Sequence, residues 1–174
     1  QGKIFWTAAE HAVWAKLYRR QREIIKGRAC AEFLSGVKAL GLNAEQAPQL
    51  LSLNAQLMSA TGWQVEPVKA LISFSKFFNL LRQCKFPAAT FIRRMEELDY
   101  LQEPDIFHEI FGHASMLMDS DFSRFTQRIG EIGAQLEEKK QKHLARLYWF
   151  TVEFGLIRSK QGLRIYGGGI LSSY

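Results

Sequence analysis

The chain has 174 residues, 47% of them apolar and 13% aromatic, which is enough to bury a substantial core and excludes a disordered protein. Its formal net charge of +6 does not by itself predict nucleic-acid binding. The basic cluster near the start is predicted to lie on an amphipathic helix, opposite an apolar stripe, as on a solvated helix face. It shows neither a signal-peptide pattern nor an apolar run of the roughly 18 residues that cross a bilayer. Its two cysteines lack metal-like spacing and indicate free thiols. We expect a cytoplasmic monomer with no membrane or nucleic-acid partner.

The first part of the chain predicts a helical scaffold. A capping-box pattern, Thr7-Ala-Ala-Glu10, opens a helix that runs to about Gly27. A second helix is predicted over about 29–41 and a third over about 50–62, each ended by a glycine. Over 63–72 the helical pattern gives way to short extended chain.

The second part of the chain predicts further helices, an irregular stretch and one strand. These elements are a helix capped by Ser73 or Ser75 and interrupted by Pro87, an extended or irregular stretch over Ala88–Arg94, a motif segment over Asp99–His113, helices over about 122–136 and 137–154, and a strand over Leu163–Tyr166. No repeat or linker divides the sequence. We predict a mainly α fold with a few short strands, forming a single domain over residues 1–174.

The most informative motif is His108-Glu-Ile-Phe-Gly-His113. Zinc proteases place two histidines four residues apart on one helical face, whereas here the interval is five. On a regular α-helix that interval turns the second ring about 140° away from the first. We therefore predict that the helix ends at Gly112, with His108 on its last turn and His113 in the following loop.

A carboxylate forty residues further on completes a candidate metal site. Glu153 lies within the apolar run Leu147–Gly155, where a buried charge needs a cation or a metal ion to offset its desolvation. Two histidines and one carboxylate are the ligand set of mononuclear non-haem iron(II) oxygenases. Alternatives remain open: a salt bridge from Glu153 to an arginine, and histidines satisfied by the backbone.

Asp105, three residues before the first histidine, has two predicted roles. It is placed to accept the spare ring N–H of a ligand histidine, which would fix the direction of the ring. It is equally placed to cap the helix that begins after Pro104.

Four long blocks resemble the tetrahydropterin-dependent aromatic amino acid hydroxylases, and most closely their bacterial phenylalanine-hydroxylating members. The blocks are Thr7–Phe33, Gln102–His113, Leu147–Leu156 and Arg164–Ser173. The resemblance implies the catalytic-domain fold of that family, incomplete at its C-terminal end. Because the chain lacks an initial methionine and stops soon after a glycine run, we interpret it as part of a longer polypeptide.

The resemblance also implies roles for individual residues. His108, His113 and Glu153 would be the catalytic iron ligands. Ile72, Phe77 and Glu109 would bind the pterin, and Phe77 would stack on its ring. The implied substrate residues are Arg93 on the α-carboxylate, Pro104 and Trp149 on the ring, and Gly169 and Ser172 nearby, with Ser172 also supporting His108.

The implied activity is hydroxylation of L-phenylalanine to L-tyrosine by O₂, with iron(II) and tetrahydrobiopterin or a related tetrahydropterin. Hydroxylation of tryptophan or tyrosine is the alternative within the family. Two hypotheses from other functional classes also remain open. The first is a zinc hydrolase with Glu109 as general base, and the second is a non-catalytic helical interaction domain.

Overall fold

Helices form most of the protein in the computed structural model, which describes residues 3–69 and 72–174. The α-helices are α1 (Ala8–Ile24), α2 (Ala31–Ala39), α3 (Leu50–Thr61), α4 (Phe74–Arg82), α5 (Ser120–Ala134), α6 (Glu138–Phe154) and α7 (Gly168–Ser172). A π-helix, His108–Ala114, lies between two short 3-10 helices, Met95–Glu97 and Met116–Met118. The predicted mainly α fold class is therefore confirmed. Across the described residues, each helix is too short or too polar to span a membrane.

The helix ends follow local capping chemistry. Thr7 and Glu10 form the predicted capping box, in which each side chain bonds the other's backbone N–H. Ser73, rather than Ser75, caps α4 by accepting from the backbone N–H of Lys76 at 3.3 Å. Gly62 ends α3 in the left-handed region, with φ of 77°, which glycine adopts without strain.

Four short strands form two separate pairs. Strand β1 (Gln64–Pro67) lies parallel to β2 (Lys85–Ala88), and α4 makes the crossover between them. Strand β3 (Leu156–Ser159) forms an antiparallel hairpin with β4 (Gly162–Ile165). The sequence predicted extended chain at β1 and a strand at β4, but it did not predict β2 or β3.

An aromatic cluster anchors the π-helix to the scaffold. Phe107 and Phe111 stack with ring centroids 4.9 Å apart. Phe107 meets the edge of Trp14 from α1 at 5.3 Å, and Phe111 meets Phe33 from α2 at 5.5 Å. All four rings are buried. Since their apolar burial holds the back of the π-helix, its other face is presented in a fixed direction.

Candidate metal centre

Both histidines lie on one π-helix, His108–Ala114, so the predicted helix break between them is wrong. Backbone bonds in a π-helix join residues five apart, and an interval of five therefore returns to the same face, as four does in an α-helix. Gly112 has a different role from the predicted one. A Cβ at this position would lie 2.9 Å from the carbonyl oxygen of Gly168, so the glycine allows the π-helix to pack closely against α7.

Glu153 meets the two histidine rings from the last turn of α6. His113 Nε2 lies 3.0 Å from Glu153 Oε1 and 3.0 Å from His108 Nε2, and the third edge, from His108 Nε2 to Glu153 Oε1, is 3.5 Å. Adjacent ligands about 2.1 Å from one ion are separated by about 3.0 Å in octahedral and about 3.4 Å in tetrahedral geometry. The three side chains therefore have the spacing that could hold a single metal ion.

Ser172 fixes the orientation of the His108 ring. Its Oγ donates its one proton to the carbonyl oxygen of Gly168 at 2.7 Å and lies 2.9 Å from His108 Nδ1. The serine oxygen must then accept from Nδ1–H of the ring. This tautomer leaves the lone pair of Nε2 directed at the cluster, as a metal ligand requires.

Asp105 does not support a histidine ring, so the first of its two predicted roles is wrong. The carboxylate accepts from the backbone N–H of His108 at 3.1 Å, which is the predicted helix-capping role. It also accepts from the backbone N–H of Arg93 at 3.0 Å and from the guanidinium of that arginine, which donates from Nε at 2.9 Å and from Nη2 at 3.0 Å. No pattern in the sequence indicated this pairing, because the arginine lies twelve residues earlier.

Arg93 is held behind the site rather than in the wall of the cavity that adjoins it. Its side chain is 9% exposed. Within the described residues, three of its five N–H donors are engaged, two by Asp105 and one, from Nη1 at 3.2 Å, by the carbonyl oxygen of Leu98. One N–H on each terminal nitrogen remains for another acceptor.

The glycines of α7 pack directly on the cluster. A Cβ on Gly168 would lie 2.6 Å from His113 Nδ1, and a Cβ on Gly169 would lie 2.4 Å from Glu153 Oε2. Both distances are shorter than side-chain packing permits, so only glycine fits at these positions without a shift. Gly169 thus lies against the carboxylate of Glu153.

A cavity of about 490 Å³ opens over the cluster. Five of the eight predicted pterin and substrate residues line it: Ile72, Phe77, Glu109, Pro104 and Trp149, together with His108, His113 and Glu153. Arg93, Gly169 and Ser172 do not line it; they contact residues of the cluster or its supports from behind.

The electrostatics of the cluster favour an ionised carboxylate. Burial raises the pKa of Glu153, but the two adjacent imidazoles outweigh it and hold that pKa well below its usual range. Burial lowers the pKa of His113. In His108 burial lowers the pKa, but the nearby carboxylates, Glu153 first among them, outweigh it and raise the pKa. Burial also raises the pKa of Glu109, to about 7.

Several cavity residues carried no distinctive sequence signal. The ring of Phe86 lies 5.8 Å from that of His113, and the buried Tyr148 lies 5.9 Å from the ring of Phe77. Their aromatic character is typical of any core, so nothing in the pattern marked them. Lys142 and Arg146 also line the cavity, and on α6 they matched an ordinary solvated face.

The family model of the biopterin-dependent aromatic amino acid hydroxylases matches residues 2–174 of this chain. The chain belongs to this family. The chain is 56% identical over 172 residues to the phenylalanine-4-hydroxylase of Vibrio cholerae, an alignment that covers 99% of this chain and 60% of the relative. It therefore spans about three fifths of that relative's length.

Solved structures of family members agree with the fold of this chain. The phenylalanine hydroxylase of Legionella pneumophila superposes with a TM-score of 0.95 at 53% identity, covering 99% of this chain and 69% of that one. The Chromobacterium violaceum enzyme superposes with a TM-score of 0.93 at 46% identity, covering 97% and 62% of the two chains. That Chromobacterium structure contains bound iron(III) and the oxidised cofactor 7,8-dihydrobiopterin. The predicted hydroxylase catalytic-domain fold is thus confirmed.

Proposed function

We propose that the protein at its native length hydroxylates L-phenylalanine to L-tyrosine, using O₂, iron(II) and a tetrahydropterin. The observation that carries the proposal is the cluster of His108, His113 and Glu153, whose ligand atoms lie 3.0–3.5 Å apart beneath an aromatic-lined cavity. Two imidazoles and one carboxylate suit iron(II) and leave other coordination positions for exogenous ligands. Similarity to enzymes named as phenylalanine-4-hydroxylases supports the choice of substrate.

The residues present fit a resident iron ion. Bound iron and tetrahydropterin together would supply the redox chemistry that activates O₂. The protein's part is to hold three ligands rigidly on one side. Ser172 sets the tautomer of His108, and the glycines of α7 fix the position of the carboxylate.

The cavity also offers a place for the pterin. Phe77 and Ile72 provide apolar surface for a flat ring system. Glu109 lies in the same wall, where its carboxyl group can hydrogen-bond to the polar edge of a ring. We propose that Glu109 meets the polar edge of the pterin.

For the substrate, we propose that Pro104 and Trp149 contact the aromatic ring from the cavity wall. Arg93 would reach the α-carboxylate with the two N–H donors that Asp105 and Leu98 leave free. We also propose that Gly169 and Ser172 lie near the bound substrate, since each contacts one of the iron ligands.

The alternatives are disfavoured by particular observations. Family membership disfavours both a zinc hydrolase with Glu109 as base and a non-catalytic domain. Hydroxylation of tryptophan or tyrosine is disfavoured by relatives that bear the name phenylalanine-4-hydroxylase. We further propose that the protein is a cytoplasmic monomer, a setting that its two free cysteines fit.

The decisive experiment is product analysis. The protein at its native length, with iron(II), tetrahydrobiopterin and ¹⁸O₂, is offered L-phenylalanine, L-tyrosine and L-tryptophan in turn. We expect tyrosine carrying one labelled oxygen from phenylalanine, and no comparable product from the other two. Glu153→Ala abolishes turnover, whereas the control Glu96→Ala, which removes an exposed carboxylate, retains it. Iron binding without product from any of the three would refute the proposal.

A further inference from the structure

Two adjacent residues of α1, Arg20 and Gln21, lie at the far ends of the two hydrogen-bonded connections that hold His108. Neither residue lines the cavity or touches the cluster. The first connection, the ring support, reaches the imidazole of the histidine. The second connection, the backbone support, reaches its main-chain nitrogen.

The ring support runs through the chain segment that follows α7. Ser172 accepts from His108 Nδ1 at 2.9 Å. The next residue, Ser173, has its carbonyl oxygen 2.6 Å from Gln21 Nε2, which donates to it. Since these two serines are neighbours in the chain, fixing the carbonyl of one fixes the hydroxyl of the other.

The backbone support runs through a buried ion pair. Asp105 accepts from the main-chain N–H of His108 and from the guanidinium of Arg93. Arg93 also donates to the carbonyl oxygen of Leu98, and that same oxygen accepts from Arg20 Nη2 at 2.8 Å. Arg20 therefore sets the position of the carbonyl on which the arginine of the ion pair rests.

Gln21 is an unusual residue for its place in the helix. It is fully buried on the face of α1 that carries Val13, Trp14 and Leu17, where an apolar side chain would cost less. Its Oε1 is buried and has no hydrogen-bond partner among the described residues. At this position the glutamine therefore donates one hydrogen bond, to the carbonyl oxygen of Ser173, where an apolar residue would make a packing contact.

We propose that Arg20 and Gln21 are positioning residues for the metal centre, which act on His108 through the backbone support and the ring support respectively. The inference rests on the proposed function only in needing a metal ion at the cluster. Because a side chain that orients a ligand from outside the coordination shell typically changes metal affinity by roughly 10-fold to 100-fold, we expect about 10-fold for these more distant residues.

The test measures binding of cobalt(II), an air-stable substitute for iron(II), to the full chain by titration and by its visible absorption spectrum. Gln21→Met keeps the volume and removes the donor. Arg20→Ala removes the hydrogen bond to the carbonyl oxygen of Leu98 in the backbone support. Its matched control is Arg19→Ala, which changes the exposed neighbouring arginine. We expect about 10-fold weaker binding in Gln21→Met and Arg20→Ala, with altered spectra, and unchanged binding in Arg19→Ala.

A double-mutant cycle distinguishes positioning from general stabilisation. If Gln21 acts through the hydroxyl of Ser172, then Gln21→Met weakens cobalt binding less than 2-fold in a Ser172→Ala background. Equal weakening in both backgrounds would overturn the ring support. Far-ultraviolet circular dichroism checks folding of each variant. Should Gln21→Met not fold, Arg20→Ala decides alone, because its side chain is 21% exposed and leaves no sealed cavity.

Cobalt titration distinguishes failure of these two positioning residues from failure of the proposed metal centre. No cobalt binding by the wild-type chain would remove the metal centre and the inference with it. Wild-type binding together with unchanged affinity and spectrum in folded Gln21→Met and Arg20→Ala would overturn the inference alone and leave the proposed metal ligands intact.

Discussion

Gly169 packs against Glu153 so closely that a single methyl group would displace the carboxylate. An added Cβ would lie 2.4 Å from Oε2, and the carboxylate would have to turn away from the two histidines. We expect Gly169→Ala to weaken binding of iron(II) by at least about 10-fold, since the orientation of a ligand governs affinity. Anaerobic titration measures the effect, with Ser59→Ala as the control for an exposed side chain outside the site. Unchanged affinity in Gly169→Ala would show that the site tolerates the added group.

The buried thiol of Cys30 gives the protein a specific loss of stability at alkaline pH. Burial raises its pKa from 9.0 to about 11, so the folded state resists ionisation while the unfolded state does not. Its contribution to stability is therefore complete below pH 9 and is lost as the pH rises towards 11. Urea unfolding at pH 8 and pH 10.5 should show a smaller alkaline loss in Cys30→Ala than in the wild type. Equal losses in the two proteins would contradict this.

At the residue level, the sequence identified the side chains of the metal cluster better than it identified the residues that contact them. The resemblance pointed to the three side chains that meet in the cluster and to the support from Ser172, because long ordered motifs identify residues one by one. It could not show that Asp105 pairs with Arg93, nor that Gly169 contacts Glu153. Such partners are distant in sequence, and only the folded chain brings them together.

The main error at the level of elements was the helix break at Gly112. The break was predicted for an α-helix with 3.6 residues per turn, whereas the observed π-helix places residues five apart on one face. π-helices are rare, often mark functional sites, and have no composition of their own, so spacing alone could not reveal one. Most helix positions were predictable, since caps and apolar periodicity act locally.

The crossing of α4 and α5 gives a prediction at the same scale. A Cβ on Gly130 would lie 2.3 Å from the backbone nitrogen of Arg82, which cannot move as a flexible side chain would. Alanine gains about 1 kcal/mol of helix propensity over glycine. Overpacking costs about 1–3 kcal/mol or more where backbone is involved. We therefore expect Gly130→Ala to lower the free energy of unfolding in urea.

Ser59→Ala is the control for that prediction. Ser59 is exposed within α3, so alanine there gains helix propensity without a clash, and the variant should be slightly more stable. Stabilisation of Gly130→Ala by the same amount would show that the two helices do not approach as closely as described.

For the molecule as a whole, the metal centre joins parts that the chain order separates. The π-helix rests on α1 and α2 through aromatic packing, whereas Glu153 comes from α6. An ion bound by all three side chains would therefore couple these two regions. Mass action sets the size of the effect: an ion at 100 times its dissociation constant stabilises the folded state by about 2.7 kcal/mol.

The overall packing was the least predictable from sequence. The parallel pairing of β1 with β2 across α4 and the contact of the β3–β4 hairpin with Ala29 join residues far apart in the chain. Neither periodicity nor capping carries information about such pairings. The hydroxylase resemblance supplied the fold class instead, and the solved structures confirm it.

The most direct test of the metal centre combines anaerobic iron(II) titration with thermal unfolding of the same samples. For the wild type we predict one ion per chain and a raised melting temperature. Glu153→Ala should bind iron at least about 100-fold more weakly, with no rise in melting temperature, because one of three ligands is lost. The exposed-carboxylate variant Glu96→Ala should match the wild type. One tightly bound ion per chain in Glu153→Ala, with wild-type stabilisation, would contradict the claim that these three side chains share the metal.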